Sequence, residues 1–479
     1  MFNTDLDAII PMLLVTLAAL ATMIAEAFRK PNERPPMGLL GIIGLVAAAV
    51  TSMYLWNRNA LGFGVIIADN FGLFVTFILM IVGILTIMFS SAVVHRDGIP
   101  AGEYYALVLF ALVGMMMMAT ANDLLVVFIA LEVLSLAVYV LTGIRRDLAG
   151  TEAAFKYFLL GAFSSAFFLY GIAFTYGVTG STRLTEVGAF LSEKALVDNP
   201  TMILIAVGLL LVGFAFKISA VPFHMWTPDA YEGAPAVVTG FMSTGVKVAA
   251  FAAFARVFLS SLEPFKNDWI PLVAALAALT MILGTVVGVA QSNLKRMLGY
   301  SSIAHGGYLL VALVAANQLG KQAILFYLLS YALTNLAAFG VIALLGTREK
   351  GNDDLRDYAG LWHTRPGVAA LMTVALLSLG GLPPTAGFFA KYYIFIAAIS
   401  AGYYGLAIIG VLTSVVSVFF YLRVVVKMYM AEPETQTAPP RVTGMGIAAL
   451  ALAIIAIFYL GILPTPVINL ASESISTIF

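Results

Sequence analysis

Long apolar segments alternate with short polar segments along the whole chain. A helix of about 20 mostly apolar residues is long enough to cross the hydrocarbon core of a bilayer. The pattern predicts fourteen such spans, at residues 9–28, 39–56, 71–94, 103–120, 123–142, 155–178, 202–220, 236–258, 269–290, 297–316, 322–346, 367–400, 404–428 and 443–463. The twelfth run is too long for one ordinary crossing and is interrupted by the sequence GGLPPTAGF. Because the number of crossings is even, we expect both termini on the same side of the membrane.

Composition narrows the class of protein further. Hydrophobic residues make up 61% of the 479 residues and charged residues 10%, whereas a soluble domain has roughly 25% charged residues. The net charge of zero gives no basic surface that would indicate nucleic-acid binding. The N-terminal sequence MFNTDLDAIIPMLL lacks the basic region and cleavage site of a signal peptide, so we interpret it as leading into a spanning helix.

The residue inventory also excludes several kinds of cofactor site. The sequence has no cysteine, which excludes thiolate zinc sites, cysteine-ligated iron–sulfur clusters and disulfides. Its four histidines are too few and too scattered to indicate a haem or metal centre. We find no Gly-rich phosphate loop and no dinucleotide-binding fingerprint. We therefore expect no cofactor in this chain, and any redox or nucleotide chemistry in another chain.

Charge bias between the loops predicts the orientation, because cytoplasmic loops collect Lys and Arg. The loops on the side of the termini contain six of these residues, and the opposite loops contain sixteen, among them Lys295. We therefore expect both termini outside the cytoplasm. The six residues on the side of the termini are Arg58, Arg183, Lys194, Arg256, Lys266 and Lys321. The three cations in neither set, Lys217, Lys247 and Lys391, lie within or beside apolar spans.

An internal repeat is present in the middle of the chain. FKYFLLGAFSSAFFLYG (155–171) resembles ILFYLLSYALTNLAAFG (324–340) at an offset of 169, and FARV (254–257) matches YLRV (421–424) at an offset of 167. One unit then covers spans four to eight and the next covers spans nine to thirteen. Because five crossings is an odd number, the second copy must be inverted. Inverted repeats with one broken helix each are typical of ion-coupled transporters, where the breaks mark the ion pathway.

This pattern predicts the fold class and the domain organisation. We expect an all-α polytopic membrane protein of about fourteen transmembrane helices, with two inverted five-helix repeats that each contain a broken helix. Three N-terminal transmembrane helices occupy residues 1–102, the first repeat 103–260, the second repeat 267–430, and a C-terminal transmembrane helix 443–463.

Two charged residues lie in the middle of predicted spans. Glu132 is about halfway across the fifth span, where a carboxylate is costly unless it is paired, hydrated or protonated. We interpret it as a proton carrier or the electrostatic partner of a lysine; the alternative is a structural hydrogen bond between helices. Lys247 lies in FMSTGVKVAAFAAF, too deep to reach an interface comfortably. Burial disfavours the charged form of a lysine and a nearby carboxylate favours it, so we interpret Lys247 as a proton relay; the alternative is a permanently paired structural lysine.

The other two intramembrane lysines lie beside helix breakers. Lys217 is at the start of the polar stretch FKISAVPFHMWTPDAYEGAP. Pro222 has no N–H and frees the carbonyl of residue 218, and freed backbone groups are tolerated at depth only beside protein or a water-filled cavity. We therefore expect a hydrated pocket here; the alternative is an interfacial lysine that caps the seventh helix. Lys391 follows GGLPPTAGFFA in the twelfth span, and we interpret it as the approximate counterpart of Lys217.

Two histidines are further candidates. His305 lies in the tenth span among small residues that admit water; it is interpreted as a proton relay between the repeats or as a structural hydrogen bond between helices. His224 is a relay or a structural cap for the break in the seventh span. Asp229 and Glu232 are interpreted first as capping and pairing residues for a short helix after Pro228, with a catalytic role as the alternative.

These motifs resemble a known family. PFHMWTPDAYEGAP with the upstream FK resembles the signature of the antiporter-like membrane subunits of respiratory complex I, which are related to subunits of multi-component Na⁺/H⁺ antiporters. YSSIAHGGYLL and the broken GGLPPTAGFFAK also match. Within this family the chain is similar to the subunit N branch (called subunit 2 in mitochondria and chloroplasts), because no long lateral helix follows the bundle and Lys391 stands where the middle subunit usually has glutamate. The first helices favour a bacterial inner membrane; an organellar inner or thylakoid membrane is the alternative.

The resemblance implies a function and a set of roles. It implies a proton-pumping subunit of NADH–quinone oxidoreductase in which Glu132 and Lys217 form the pair on the fifth and seventh helices, Lys247 is the central lysine and Lys391 the outlet lysine. It implies that NADH, FMN, iron–sulfur clusters and quinone are bound by other subunits. The implied partners are the other membrane subunits of the complex, especially neighbouring antiporter-like and small membrane subunits, within a lipid bilayer and without nucleic acid. The alternatives are a subunit of a multi-component Na⁺/H⁺ antiporter or of a related membrane-bound hydrogenase, and a membrane scaffold whose charges are structural.

Overall fold

The computed structural model describes residues 4–29, 36–193, 200–347, 353–432 and 443–478. Within these ranges, thirteen helices are long and apolar enough to cross a membrane: Ile10–Ala27, Met37–Leu55, Asn70–Arg96, Ala101–Thr120, Leu124–Thr142, Leu148–Thr179, Pro200–Lys217, Ala236–Ser261, Glu263–Val289, Leu294–Ala315, Gln318–Leu345, Tyr404–Met430 and Gly444–Ile462. Two shorter apolar helices, Pro366–Gly380 and Ala386–Ser400, occupy the place of the interrupted twelfth span. The predicted all-α polytopic class is confirmed. We number the crossings spans 1 to 14 in chain order, with the interrupted pair as span 12.

Polar residues at the ends of the apolar runs determine where several spans begin. The side chains of Asp69, Asp123 and Asp147 each accept a hydrogen bond from a backbone N–H in the first turn of spans 3, 5 and 6. Asn293 does the same for span 10, at 3.0 Å. Such caps satisfy donors that have no partner within the helix and contribute about 1 kcal/mol each. The short polar loops therefore fix the helix boundaries that hydropathy alone leaves approximate.

Span 7 ends at Lys217, and the chain then runs through an irregular segment into a short helix, Trp226–Gly233, before span 8 begins. This helix starts before Pro228, which lies in its first turn, where a missing N–H has no cost. The Trp226 indole donates to the carbonyl of Phe216 at 3.0 Å. The ring of Trp226 also stacks on Tyr157 with centroids 4.1 Å apart. These contacts hold the broken segment rigidly against spans 6 and 7.

Span 12 is broken at Gly381, which has a φ of 83° and ends its first half. The second half packs back closely on the first, since a Cβ on Gly387 would lie 1.8 Å from the carbonyl oxygen of Ser378. Only glycine fits that approach. Both predicted breaks, in spans 7 and 12, are therefore present in the structure.

Span 8 is continuous but irregular. Two π-helical turns, Met242–Val246 and Val257–Ser261, flank the α-helical segment Lys247–Arg256. Single π-helical turns within α-helices are frequent at functional sites. Each of these turns lies next to a buried cation, Lys247 after the first turn and Arg256 before the second.

The loops gather at two ends of the bundle. A backbone β-bridge between Asp123 and Arg183 joins the loop between spans 4 and 5 to the loop between spans 6 and 7. Residues 477–478 line a cavity beside the same loops, so the C-terminal segment is at this end. At the other end of the bundle, a backbone β-bridge between Asn293 and Asp354 joins the loop between spans 9 and 10 to the loop between spans 11 and 12. This grouping is the one that an even number of crossings requires.

Two cations that the sequence pattern assigns to loops are buried instead. Arg256 is 3% exposed and Lys295 is 1% exposed. Lys295 lies two residues before the predicted tenth span, and Arg256 lies near the end of the predicted eighth span, although the charge count places it with the following loop. Without these two residues, fifteen Lys and Arg remain in the loops opposite the termini and five in the loops on the side of the termini. The counted cations that lie outside the described residues are Lys30, Arg34, Lys194, Arg348, Lys350 and Arg441.

Several short elements have no counterpart in the apolar pattern. An antiparallel hairpin pairs Ala60–Gly62 with Ile66–Ala68 between spans 2 and 3. A helix over Leu184–Ser192 follows span 6, and a helix over Thr465–Ile475 follows span 14. All are too short to produce a run of spanning length, which is why hydropathy does not predict them.

Candidate functional site

The Lys217 side chain is buried in the protein and only 3% exposed. Its ammonium donates to the hydroxyl of Ser135 on span 5 at 2.6 Å. The rings of Tyr139 and Tyr157 lie 5.7 and 5.6 Å from Nζ, which is within cation–π range. Groups from spans 5 and 6 therefore surround the ammonium.

Glu132 lies three residues before Ser135 on span 5, on the same face of the helix. It is half-buried, and its carboxylate accepts a hydrogen bond from Ser165 on span 6. The structure brings Glu132 into the neighbourhood of Lys217 but shows no direct ion pair between them. A cavity of about 10 Å³ touches both Ser165 and Lys217. That is about the room one water molecule needs, so water in this cavity and Ser165 can together link the ammonium to the carboxylate.

Lys247 is 2% exposed and points at span 10. Its ammonium donates to both oxygens of Ser302, the hydroxyl at 2.7 Å and the backbone carbonyl. The ring of Tyr331 lies 5.4 Å from Nζ. A Cβ on Gly306 would lie 3.7 Å from this Nζ and 3.0 Å from the carbonyl oxygen of Ile218, in the break of span 7. Span 10 therefore carries the partner of Lys247 directly against the broken segment.

A chain of hydrogen bonds extends from Ser302 in two directions. Tyr331 donates to the Ser302 hydroxyl at 2.8 Å, and the amide of Asn335 donates to Tyr331 at 3.1 Å and to Ser243 at 2.7 Å. On the other side, the hydroxyl of Tyr231 is 3.4 Å from that of Ser302. The Ser302 hydroxyl thus connects spans 8, 10 and 11 with the short helix of the span 7 break.

His305 is buried one turn after Ser302 on span 10. Its Nδ1 pairs with the hydroxyl of Tyr327 at 2.5 Å, and its Nε2 pairs with the hydroxyl of Tyr421 at 3.3 Å. A cavity of about 10 Å³ is lined by His305, Tyr327, Tyr331, and by Gly387 beyond the break in span 12. The histidine therefore lies between the surroundings of Lys247 and the broken twelfth span.

Lys391 is 5% exposed and lies in the second half of span 12. Its ammonium donates to the hydroxyl of Ser414 on span 13 at 2.7 Å and to the carbonyl of Gly380 at 3.0 Å. The ring of Tyr308 is 5.1 Å from Nζ. Lys391 follows its break whereas Lys217 precedes its own, so the two lysines are comparable in surroundings but not in position within the repeat.

His224 is half-buried in the irregular segment after span 7. Its Nδ1 is buried and has no hydrogen-bond partner among the described protein atoms. The structure does not join it to the lysines or to His305 by any hydrogen bond in the described part of the chain. Of the six candidates, His224 is the one that stands apart.

Several described charges outside this group are paired with opposite charges. Arg296 contacts Asp229 and Glu232, both at 2.8 Å, which is the pairing role expected of those two carboxylates. Lys295 donates to the carbonyl of Ala234 at 3.1 Å and lies 3.0 Å from Asp353. These contacts tie span 10 to the short helix after span 7. Among residues 4–29, 36–193, 200–347, 353–432 and 443–478, no cluster of three or more His, Asp or Glu side chains is placed to hold a metal ion.

The sequence interpretation missed the serines. Ser135, Ser302 and Ser414 are each the hydroxyl partner of an intramembrane lysine. Two of them could have been found from helical spacing, because Ser135 is three residues after Glu132 and Ser302 three before His305, on the same helix faces. Ser414, in contrast, has no ionisable residue three or four positions away on span 13, so nothing in the sequence marks it.

Comparisons with known proteins agree with the motif resemblance. The family model described as NADH:quinone oxidoreductase/Mrp antiporter, TM matches residues 121–417. NADH-quinone oxidoreductase subunit N of Trichlorobacter lovleyi is 42% identical over 100% of this chain and 99% of its own length. The subunit of the same name from Chloroflexus aggregans is 43% identical over 98% of this chain and 97% of its own. A chain of respiratory complex I from Thermus thermophilus with bound aureothin superposes with a TM-score of 0.83 at 35% identity, covering 97% of this chain and 100% of that one.

The matched region covers spans 5 to 12 and about half of span 13, and therefore contains Glu132, Lys217, Lys247, His305 and Lys391. The relatives extend the likeness over the whole length. The chain therefore belongs to the NADH:quinone oxidoreductase/Mrp antiporter family of membrane subunits, in the branch whose curated relatives are subunit N of NADH-quinone oxidoreductase.

Proposed function

We propose that this chain is a proton-translocating membrane subunit of an NADH–quinone oxidoreductase, with Glu132, Lys217, Lys247, His305 and Lys391 as its proton-relay residues. The observation that carries the proposal is the polar axis through the bundle. Three buried lysines lie along it, and no carboxylate is within ion-pair distance of any of them among the described residues. Each has a neutral hydroxyl partner instead.

The partner determines whether a buried lysine can exchange its proton. A carboxylate at contact distance stabilises the ammonium strongly and keeps it charged, whereas burial beside a neutral hydroxyl leaves the charged form only weakly favoured. Lysine, unlike arginine, can then release its proton. The three lysines therefore have the surroundings that a relay needs.

Coupling to the rest of the complex is supported by the position of Glu132. This carboxylate is half-buried on span 5 and accepts a hydrogen bond from Ser165, which lines a small cavity together with Lys217. In a medium of low dielectric constant a change of charge at Glu132 alters the free energy of protonation of Lys217 over several ångströms. An electrostatic signal from an adjacent subunit can enter the polar axis at this end without any redox group in this chain.

The partners and cofactors follow from the family. We propose that NADH, FMN, iron–sulfur clusters and quinone are bound by other subunits, and that this chain contacts other membrane subunits and lipid. The Thermus thermophilus relative is part of a respiratory complex I, which supports that assembly. The test is co-purification: a tagged form of this chain should be recovered with a large NADH-oxidising assembly, and recovery of the chain in a redox-free Na⁺/H⁺ antiporter would contradict the proposal.

We also propose that the chain lies in a bacterial inner membrane with both termini in the periplasm and with the domain boundaries given by the repeat. The sixteen-to-six bias in loop cations supports the orientation, and it remains fifteen to five after the two buried cations are removed. A reporter enzyme that is active only in the cytoplasm, fused after the last residue, should be silent. Strong reporter activity would contradict the orientation.

A further inference from the structure

The three buried lysines share a local arrangement on three pairs of spans. In each, the ammonium donates to a serine hydroxyl on another span and lies beside at least one tyrosine ring. The pairs are Lys217–Ser135 at 2.6 Å, Lys247–Ser302 at 2.7 Å and Lys391–Ser414 at 2.7 Å. The same contact on three different pairs of spans indicates that the serine contributes to the function of each site.

A hydroxyl has a property that a carboxylate lacks. It carries two acceptor lone pairs and one donor hydrogen that rotates to suit its neighbours. It can accept from an ammonium, and it can donate to the neutral amine that remains after the proton has left. A carboxylate only accepts, so it serves the charged lysine alone. A serine hydroxyl, unlike a carboxylate, can therefore form a hydrogen bond with a buried lysine both before and after the lysine releases a proton.

We propose that Ser135, Ser302 and Ser414 are positioning residues that hold the three lysines in both protonation states. This inference rests on the proposed function, because it concerns how the relay lysines of that function work. The proton passes between the lysine nitrogen and a water molecule, and the serine keeps its hydrogen throughout. Only the direction of the lysine–serine hydrogen bond reverses.

Ser302 shows how the reversal is prepared. Its hydroxyl accepts from Lys247 and from Tyr331, which in turn is held in that direction by the amide of Asn335. The hydrogen of Ser302 is left with a distant acceptor, the hydroxyl of Tyr231 at 3.4 Å. Such a long hydrogen bond is weak, so the hydrogen can turn to the neutral amine at little cost. The amine keeps its other hydrogen bond, to the Ser302 carbonyl.

The test compares three substitutions of one serine in the intact complex. Ser302→Thr keeps a hydroxyl, Ser302→Ala removes it, and Ser302→Asp replaces it by a carboxylate that fixes the ammonium. We would measure NADH-driven proton uptake in membrane vesicles, normalised to assembled complex. We expect Ser302→Thr to stay within about twofold of the parent, and Ser302→Ala to lose about tenfold, as for a buried hydrogen bond left unmade. We expect Ser302→Asp to lose as much, although its ion pair is the stronger contact.

The matched control is Ser90→Ala. Ser90 is also fully buried in a span, and its hydroxyl pairs with that of Tyr104 at 2.7 Å, away from every intramembrane lysine. Its loss should leave uptake per assembled complex unchanged. This control separates loss of a buried serine–tyrosine hydrogen bond from loss of the lysine partner.

Lys247→Ala, measured in parallel, separates the inference from the function on which it rests. If Lys247→Ala pumps like the parent, the relay function of this lysine is wrong. If Lys247→Ala fails while Ser302→Ala and Ser302→Asp pump like the parent, only the positioning role is wrong. Should either Ser302 variant not assemble, the same substitutions at Ser414 decide by the same criterion, since that site is on a different pair of spans.

Discussion

Span 8 carries two buried cations with opposite surroundings. Lys247 opens the segment between the two π-helical turns and is held by the oxygens of Ser302. Arg256 ends the same segment and forms two hydrogen bonds with Asp69, at 2.7 and 2.8 Å, with a third to the carbonyl of Ala119 at 3.2 Å. Both side chains are almost completely buried. The two sites are therefore equally buried and differ in the chemistry of the partner, a neutral serine for Lys247 and a carboxylate for Arg256.

The Asp69–Arg256 pair and the Lys247 site differ in how firmly each holds its proton. Arginine keeps its proton at any relevant pH, and a two-pronged pair with a carboxylate is rigid. The Asp69–Arg256 pair therefore joins spans 3 and 8 as a fixed structural contact. The Lys247 site lacks a carboxylate partner, and in the function proposed above this leaves its proton free to move. The comparison can be tested by removing each partner in turn.

The largest expected effect comes from breaking the fixed pair. Asp69→Ala leaves the Arg256 guanidinium buried without its counter-charge, which costs about 3–5 kcal/mol. It also removes the cap of span 3, where Asp69 accepts from the N–H of Gly72 at 2.7 Å. We expect the amount of assembled complex in the membrane to fall severely. Normal assembly would show that the pair does not hold the two spans together.

The next largest effect is functional. Lys247→Ala removes a titratable group from the polar axis but leaves no buried counter-charge behind, so we expect assembly to persist and proton pumping to fall about 100-fold or to the passive leak. Lys217→Ala and Glu132→Ala should behave in the same way. The measurement is NADH-driven proton uptake per assembled complex. An assembled Lys247→Ala variant with normal pumping would remove that residue from the mechanism.

The smallest effect is expected at an exposed carboxylate. Asp147 caps span 6 by accepting from the N–H of Gly150 at 2.7 Å, as Asp69 caps span 3, but it pairs with no buried cation among the described residues. Asp147→Ala should cost about 1 kcal/mol and leave pumping unchanged. A loss of assembly as large as that of Asp69→Ala would mean that capping, and not the Arg256 pair, explains the first prediction.

The sequence predicts the fold well because lipid imposes one dominant rule. Every crossing must bury its backbone polar groups in a helix and cover it with apolar side chains, so the spans are visible as runs. The two breaks are visible because proline and glycine interrupt those runs. The three intramembrane lysines, Lys217, Lys247 and Lys391, can be recognised in the same way, because each is a charged residue within or beside an otherwise apolar run.

What the sequence does not reveal is the partner of each charge. Asp69 is 187 residues away from Arg256 in the chain. Asp69 lies just before the predicted third span and Arg256 near the end of the predicted eighth, and neither run indicates that the two are partners. Ser414 is an ordinary small polar residue until span 13 is packed against Lys391. The distinction that we propose between a fixed and an exchangeable buried cation therefore depends on tertiary structure.

The most direct test of the account is the pair of substitutions Lys391→Arg and Lys391→Ala. Arginine retains the positive charge near Ser414 but cannot release a proton. The measurement is NADH-driven proton uptake in vesicles, normalised to the amount of assembled complex so that any misfit of the larger guanidinium is accounted for. The account predicts that both variants fail to pump. If Lys391→Arg pumps like the parent while Lys391→Ala fails, a fixed charge is sufficient at this site, and the claim that its lysine exchanges a proton is wrong.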